Sequence, residues 1–376
     1  MSDAKIPLFK VYMSPLAHEW VKEVLYSGHI AQGKMVDRFE GELQKLLRID
    51  ADQEILTVNS CTSALDMALH LCGVGPGDEV ITTAQTCTAT NGGIVHRGAR
   101  PVWADIHPIT GLVDPKSVDS LLSPRTKAIM VVDWGGRPCD YDALHEIGDR
   151  HGVPVIQDAA HSFMTRYHGV PIGGRGGDYI CWSFQAIKTL TTGDGGALLV
   201  PPGQTERARL LRWYGLDRRS SMSFRCAQNI QEIGYKYHMN DIAAAIGLAN
   251  LRDMDDLIGA QRSHARLYCD ALSGLRRVKV PFYDEGSSWF LYTISVDDRA
   301  SFEKHMAERG IETSQAHARN DRHDAFAKAA GAQTQPRPGQ DYFSEHQVSI
   351  PVGWWLATTP GALTRICDAV IEWDKL

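Results

Sequence analysis

The chain of 376 residues sets 39 Lys plus Arg against 45 Asp plus Glu, a formal net charge of -6 at pH 7, and 43% of it is hydrophobic. That balance describes a globular protein with apolar material for more than one core, and it argues against a general nucleic-acid or membrane-surface binder. No stretch approaches the about twenty apolar residues of a membrane span, the opening MSDAKIPLFK lacks an apolar segment of signal-peptide length, and eight cysteines without a C-x-x-C pair fit free thiols. The expected location is the cytoplasm.

In chain order, a short arm leads to two helices. Trp20, Val21, Val24 and Leu25 have helical spacing within Ala17–Ser27, which Gly28 stops, and Met35, Phe39, Leu43 and Leu47 form the stripe of a second helix after Gly33. Ile55–Val58 reads as a strand that runs into Asn59-Ser60-Cys61-Thr62-Ser63, after which Ala64, Leu65, Ala68, Leu69 and Cys72 make a helical stripe. A strand entering a hydroxyl-rich turn and a helix N-terminus suits a phosphate, because free N–H groups and the helix dipole both favour an anion. Read by itself, the same turn is also an ordinary local cap.

Further strands are predicted at Glu79–Thr82, Pro101–Asp105, Ala128–Asp133, Val153–Ile156, Tyr179–Phe184 and Ala197–Val200, with helix-length segments such as Tyr141–His151 between them. The fold class is therefore α/β, a mostly parallel seven-stranded sheet flanked by helices. Beyond Pro201-Pro202-Gly203 come a helix over Arg207–Trp213 and a polar loop at Arg218–Ser221. A long helix follows, with Ile242, Ala245, Ile246, Ala249, Met254 and Leu257 on its stripe. A strand over Trp289–Val296, a helix through Phe302 and Met306 and a last helix with Leu363, Ile366, Val370 and Ile371 give a smaller α+β C-terminal domain. The expected division is 1–250 for the large domain with its arm and 251–376 for the small one, the boundary falling within the long helix near Leu251.

The chemistry centres on Val153–Gly196. The strand ending at Ile156 delivers Gln157 and Asp158 to the carboxyl end of the sheet, where ligands of α/β folds sit, and the strand ending at Phe184 is followed closely by Lys188. A carboxylate and a lysine, each just past a strand, suit pyridoxal phosphate: the amine forms a Schiff base with the aldehyde, and the aspartate keeps the pyridine nitrogen protonated so that the ring accepts electrons. A lysine considered singly is a surface charge; the ensemble is what points to a site. Gly173-Gly174-Arg175-Gly176-Gly177 and Gly193-Asp194-Gly195-Gly196 fit neither a dinucleotide fingerprint nor a P-loop and read as tight turns. No His, Asp or Glu pair has helical ligand spacing with a third partner, so no metal is expected.

Five motifs in order carry a resemblance: N-S-C-T-S-A-L at 59–65, D-A-A-H at 158–161, S-F-Q-A-I-K at 183–188, T-G-D-G-G at 192–196 and G-Y-K-Y-H-M-N-D-I at 234–242. Together they resemble the DegT/DnrJ/EryC1/StrS family of sugar aminotransferases, pyridoxal phosphate enzymes of fold type I, over nearly the whole chain. The resemblance implies that Lys188 carries the cofactor and Asp158 partners the pyridine nitrogen. It implies that His161 lies by the ring oxygen, and that Thr62, Ser63 and Ser183 hold the phosphate. It also implies a homodimer with shared active sites, with Lys236 crossing from the neighbouring chain to the phosphate.

Three departures from the pattern stand out. Cys87 replaces an aromatic ring over the cofactor and is either a thiol cover or a small core residue. Cys61 replaces a glycine, so either the backbone there avoids positive φ or the turn differs. His317-Ala318-Arg319-Asn320-Asp321-Arg322-His323 differs from the commoner pattern, and His317 and Arg319 either meet a substrate anion or sit in a solvated loop.

The implied activity is transfer of an amino group from an amino acid, usually L-glutamate, to a keto group of a nucleotide-linked sugar, by way of pyridoxamine phosphate. Its setting would be cell-surface polysaccharide or secondary-metabolite amino-sugar synthesis. Lys188 favours this over the family's dehydratase subgroup, which has histidine there. The alternatives are another fold type I activity, lyase or racemase, or a catalytically silent cofactor-binding regulator. The loops Arg218–Cys226 and His317–His323 are expected to decide which sugar is used.

Overall fold

The computed structural model describes residues 5–222 and 224–376. Ser223, in the Arg218–Cys226 loop, and residues 1–4 of the opening segment lie outside the described residues. The large sheet is built from β1 (Leu56–Val58), β2 (Glu79–Thr83), β3 (Arg100–Ala104), β4 (Thr126–Val132) and β5 (Val155–Asp158). After a two-stranded excursion, β6 (Arg166–Tyr167) and β7 (Val170–Pro171), the sheet is completed by β8 (Tyr179–Ser183) and β9 (Gly196–Leu199). Its order is β1-β9-β8-β5-β4-β2-β3. Every pairing is parallel except the two made by β9, which runs antiparallel to β1 and to β8.

These strands read as near-continuous apolar runs because both faces are covered. Along β8, Tyr179 and Cys181 enter a core with Leu65, Ala68 and Leu69, whereas Ile180 and Trp182 enter a second core with Phe39, Leu43 and Leu248. The first core faces α3 (Cys61–Leu71) and lies beside α4 (Thr88–His96); the second faces α2 (Lys34–Leu46), which follows α1 (Ala17–Tyr26). Val118 of α5 (Pro115–Leu121) and Leu144 of α6 (Tyr141–His151) cover Ile129, Val131 and Val155. Next come α7 (Thr205–Arg212), α8 (Asp241–Leu251) and α9 (Met254–Leu272).

The smaller C-terminal α+β domain has an antiparallel sheet of β10 (Val278–Lys279), β11 (Tyr292–Val296) and β12 (Gln347–Ile350), with α10 (Arg299–Glu308), α11 (Asp324–Ala330), α12 (Pro338–His346) and α13 (Ala362–Asp374). Tyr268, Tyr292, Phe302, Val348, Ile366 and Trp373 are in its core. The N-terminal arm crosses to this domain, where Ile6 bridges Ile311.

Two elements differ from expectation. The long helix is two helices broken at Arg252–Asp253. Buried Asn250 spends its amide outside the helix, donating to the Thr191 carbonyl (2.9 Å) and accepting from the Ser14 amide (2.7 Å), and Asp253 accepts from the Tyr12 hydroxyl (2.8 Å). The strand expected from Trp289 begins only at Tyr292, because Trp289 adopts a left-handed φ of 55° that no strand accommodates.

Candidate active site

The parallel strands deliver two polar residues to one edge: Asp158 ends β5 and Ser183 ends β8, both buried. Asp158 Oδ2 accepts from the Thr90 hydroxyl at 2.7 Å, and Oδ1 accepts from the Ala160 amide at 3.0 Å, with Cys61 Sγ at 3.9 Å. Among the described residues it makes no ion pair. Burial pushes its pKa up, against the hydrogen bonds and the positive charge of Lys188, which pull it down.

Lys188, half-buried in the turn after β8, holds its amine over the Phe290 ring at 4.5 Å. Desolvation lowers its pKa from 10.5 to about 8, opposed by the charge of Asp158. A buried carboxylate without a cation and a buried amine whose pKa is pulled down to about 8 are costly alone. A protonated pyridine bearing an aldehyde matches both, so these residues fit pyridoxal phosphate.

The phosphate-suited turn stands at the sheet edge next to β9. Ser60 caps α3, its hydroxyl accepting from the Ser63 amide at 3.1 Å, and the Ser63 hydroxyl donates to Asn59 Oδ1 at 2.6 Å. Thr62 is exposed, and the first-turn amides of Cys61 and Thr62 have no partner within the helix. Cys61 begins the helix without positive φ, which settles the alternative left open by the missing glycine. Glycine is instead required at Gly196, where a Cβ would lie 2.6 Å from the Cys61 nitrogen.

Segment 234–238 runs alongside this turn of its own chain: the Asn59 amide donates to the Tyr237 carbonyl at 2.6 Å, and Lys236 offers its carbonyl to Asn59 Nδ2 at 3.4 Å. The Lys236 side chain is exposed. Cys87, half-buried, precedes α4 as its N-cap residue and lies within electrostatic reach of the Lys188 amine.

A histidine pair forms the wall opposite. His161 and His317 stack with centroids 5.9 Å apart and planes 3° from parallel, and Trp134 meets both edge-on. His161 also lies 4.8 Å from Phe290. The Gly135 amide donates to His161 Nδ1 at 3.3 Å, which assigns the ring proton to Nε2. Burial, reinforced by the Lys188 charge, pushes His161 well below the usual imidazole range and His317 down to about 4, so both rings are neutral at pH 7. Ala316, just before His317, has a left-handed φ of 61°, strain of the kind that persists where neighbours over-determine the backbone.

The structure thus brings Asp158, His161, Ser183, Lys188, Cys87 and His317 around one edge, with the turn bearing Thr62 and Ser63 beside it. Arg319 requires a correction. Rather than waiting for a substrate anion, it is buried, its Nε and Nη2 on Asp321 at 2.7 and 2.6 Å and its Nη1 on Asp341. The loop is not simply solvated either: buried Asn320 donates to the Thr86 carbonyl at 2.8 Å and accepts from Asn91 Nδ2 at 2.9 Å.

Sequence reasoning missed Thr90, Phe290 and Trp134. Thr90 lies on a helix 68 positions from the carboxylate it bonds, and Phe290 precedes a small-domain strand, so no local pattern ties either to the site. For Trp134 a faint signal existed in the glycines that follow it: a Cβ on Gly136 would come within 2.1 Å of Ser288 Oγ, marking a close seam between domains.

Comparison with known proteins agrees. Residues 13–371 match the DegT/DnrJ/EryC1/StrS aminotransferase family. The chain is 37% identical over 286 residues to the spore coat polysaccharide biosynthesis protein SpsC of Bacillus subtilis (strain 168), an alignment covering 74% of this chain and 72% of that protein. The crystal structure of AtS13 from Actinomadura melliaura superposes with a TM-score of 0.91 at 38% identity, covering 99% of this chain and 100% of the other. That of the sugar aminotransferase CalS13 from Micromonospora echinospora gives 0.90 at 33% identity, covering 98% and 99%. With its sheet, its edge of polar groups and a match spanning almost its full length, the chain belongs to the DegT/DnrJ/EryC1/StrS aminotransferase family, pyridoxal phosphate-dependent enzymes of fold type I.

Proposed function

We propose that the protein transfers an amino group from L-glutamate to the keto group of a nucleotide-linked sugar, with pyridoxal phosphate joined to Lys188. The observation that carries this reading is the pairing at the sheet edge: Asp158 at the end of β5 and Lys188 in the turn after the adjacent parallel strand β8 are each within the other's electrostatic reach, and neither makes an ion pair among the described residues. When bound, the cofactor supplies an electron sink for the carbon that loses its proton. Asp158 would hold positive charge at the ring nitrogen, and Lys188, neutral in part at pH 7.5, would take and return the proton. His161 would donate a hydrogen bond from Nε2 to the ring oxygen. The first turn of α3, with Ser183, receives the phosphate.

His317, a neutral ring in the same wall, meets the acceptor sugar, while Arg319 supports the loop from behind. The relatives support a sugar acceptor, since CalS13 is a sugar aminotransferase and SpsC a polysaccharide biosynthesis protein. Exposed Met222, Phe224, Ile230 and Ile233, close in sequence to Lys236, support a homodimer in which Lys236 reaches the partner's phosphate.

Incubation of the loaded protein with glutamate alone is expected to release about one 2-oxoglutarate per site, and continued release is expected only when a keto-sugar nucleotide is added. Continuous consumption of glutamate without an acceptor and without further 2-oxoglutarate would point to a lyase or racemase, and no reaction with glutamate to a silent binder.

The rate at which cofactor-free protein takes up pyridoxal phosphate is expected to rise with pH and level off above a midpoint near 8, since only the neutral amine attacks the aldehyde. An ordinary lysine would be about 0.1% neutral at pH 7.5, and this one roughly a quarter. A rate still climbing at pH 10 would remove the assigned perturbation.

A further inference from the structure

Asp133, the residue after β4, is a carboxylate with no exposure and no role in the chemistry so far. It has no cation partner among the described residues; instead it accepts four hydrogen bonds. Oδ1 takes the Tyr141 hydroxyl at 2.7 Å and the Cys139 amide at 3.0 Å. Oδ2 takes Gln157 Nε2 at 2.6 Å and the Ser162 hydroxyl at 2.7 Å. Its own amide donates to the Asp158 carbonyl at 3.2 Å.

The sequence positions of those donors matter. Gln157 immediately precedes Asp158, and Ser162 immediately follows His161. Between them the chain leaves β5 and turns, held by the Ala159 amide on the Cys181 carbonyl (2.8 Å) and the Ser162 amide on the Ala159 carbonyl (3.0 Å). One oxygen atom therefore grips both ends of the short segment that carries the two groups meant for opposite parts of the cofactor ring. An ionised carboxylate is the only side chain that accepts four such bonds; an amide in its place would turn an N–H towards donors. Gln157 is fixed in turn by the Gly177 amide on its Oε1 (2.9 Å), and the His161 carbonyl by the Ser288 hydroxyl (2.9 Å), so the grip has rigid backing on both sides.

We propose that Asp133 is a positioning residue: by tying Gln157 to Ser162 at a single oxygen, it sets the Asp158 carboxylate and the His161 ring at the separation that the cofactor ring requires. The proposal rests on the reading of Asp158 and His161 given above. It differs from a merely stabilising buried carboxylate in one respect, since only the Oδ2 side touches the segment bearing those residues, and the Oδ1 side anchors the start of α6.

Two matched deletions separate the cases. Ser162→Ala and Tyr141→Phe each remove one buried hydroxyl donor from the same carboxylate, on opposite oxygens. For each variant three quantities are measured: the melting temperature without cofactor, the dissociation constant for pyridoxal phosphate, and the pH midpoint of the bound cofactor's visible absorbance. Both variants are expected to melt lower by similar amounts. Ser162→Ala is expected to weaken cofactor binding about fivefold or more and to move the midpoint by about half a pH unit, whereas Tyr141→Phe stays within about twofold with an unmoved midpoint. Asp133→Asn, if it folds, should exceed Ser162→Ala in both cofactor readouts.

The proposal is overturned if Ser162→Ala leaves binding and midpoint unchanged, or if Tyr141→Phe alters them as much. Failure of the unmodified protein to take up pyridoxal phosphate would instead sink the cofactor reading, and the positioning role with it.

Discussion

Lys188→Ala is expected to end multiple-turnover amino transfer, with a rate loss of about four orders of magnitude or more, the full contribution of a positioned proton-transfer group together with the loss of the covalent anchor. The fold should survive. Among the described residues the amine makes no hydrogen bond that its removal would leave broken; it approaches the Phe290 ring, and Asp158 keeps its Thr90 and Ala160 donors. Cofactor-free stability at pH 7 is expected to hold or rise, since burial disfavours the protonated amine that the variant lacks. A signature in pH accompanies this. Because the folded pKa is depressed to about 8, the native chain sheds its proton before the unfolded chain does, so stability rises as pH climbs from 8 towards 10.5. That rise should be missing in the alanine variant. Turnover by Lys188→Ala without any added amine would refute the role.

For Asp158→Asn the expected outcome is two opposed effects. Turnover should fall by two to three orders of magnitude, the kinetic equivalent of about 3–4 kcal/mol for removing the carboxylate that would pair with the bound pyridinium. The asparagine keeps the shape and still accepts from Ala160, so cofactor-free protein should melt at the same temperature or higher, relieved of a buried charge. The pH slope has a defined sign. With its pKa raised in the native state, Asp158 retains its proton where the unfolded chain has lost it, so stability declines as pH rises through that interval, and the variant should lack the decline. A variant that lost turnover and melted much lower would indicate a structural role for Asp158 instead.

What could be read from the sequence follows the range of the forces involved. The seven strands of the main sheet were legible because burial on both faces writes each one as an apolar run. Asp158 and Lys188 were legible because each follows such a run closely enough to be placed at the carboxyl edge. The break at Arg252 was not, since the apolar stripe continues through it; it is made by Asn250 and Asp253 bonding to the arm, contacts 236 and 241 positions apart. The shortened strand at Trp289 turns on a backbone angle that side-chain pattern does not encode. Arg319 shows the limit for charges. A cation in a polar loop looks free until its carboxylates are found, and Asp341 lies on a helix that the sequence did not announce.

The inverted direction of β9 bears on how the protein acquires its shape. Val58 faces Gly196 across that ladder, so the turn at residues 59–63, among the first parts synthesised, is held in register by a strand roughly 140 positions downstream. Closing so large a loop is entropically slow, and until it closes β1 has no neighbour in the main sheet. A folding chain should therefore complete its cofactor site only late, after β9 has docked, and a nascent polypeptide stopped before Gly196 would carry the candidate residues from Thr62 to Lys188 without the strand that holds the 59–63 turn beside the rest.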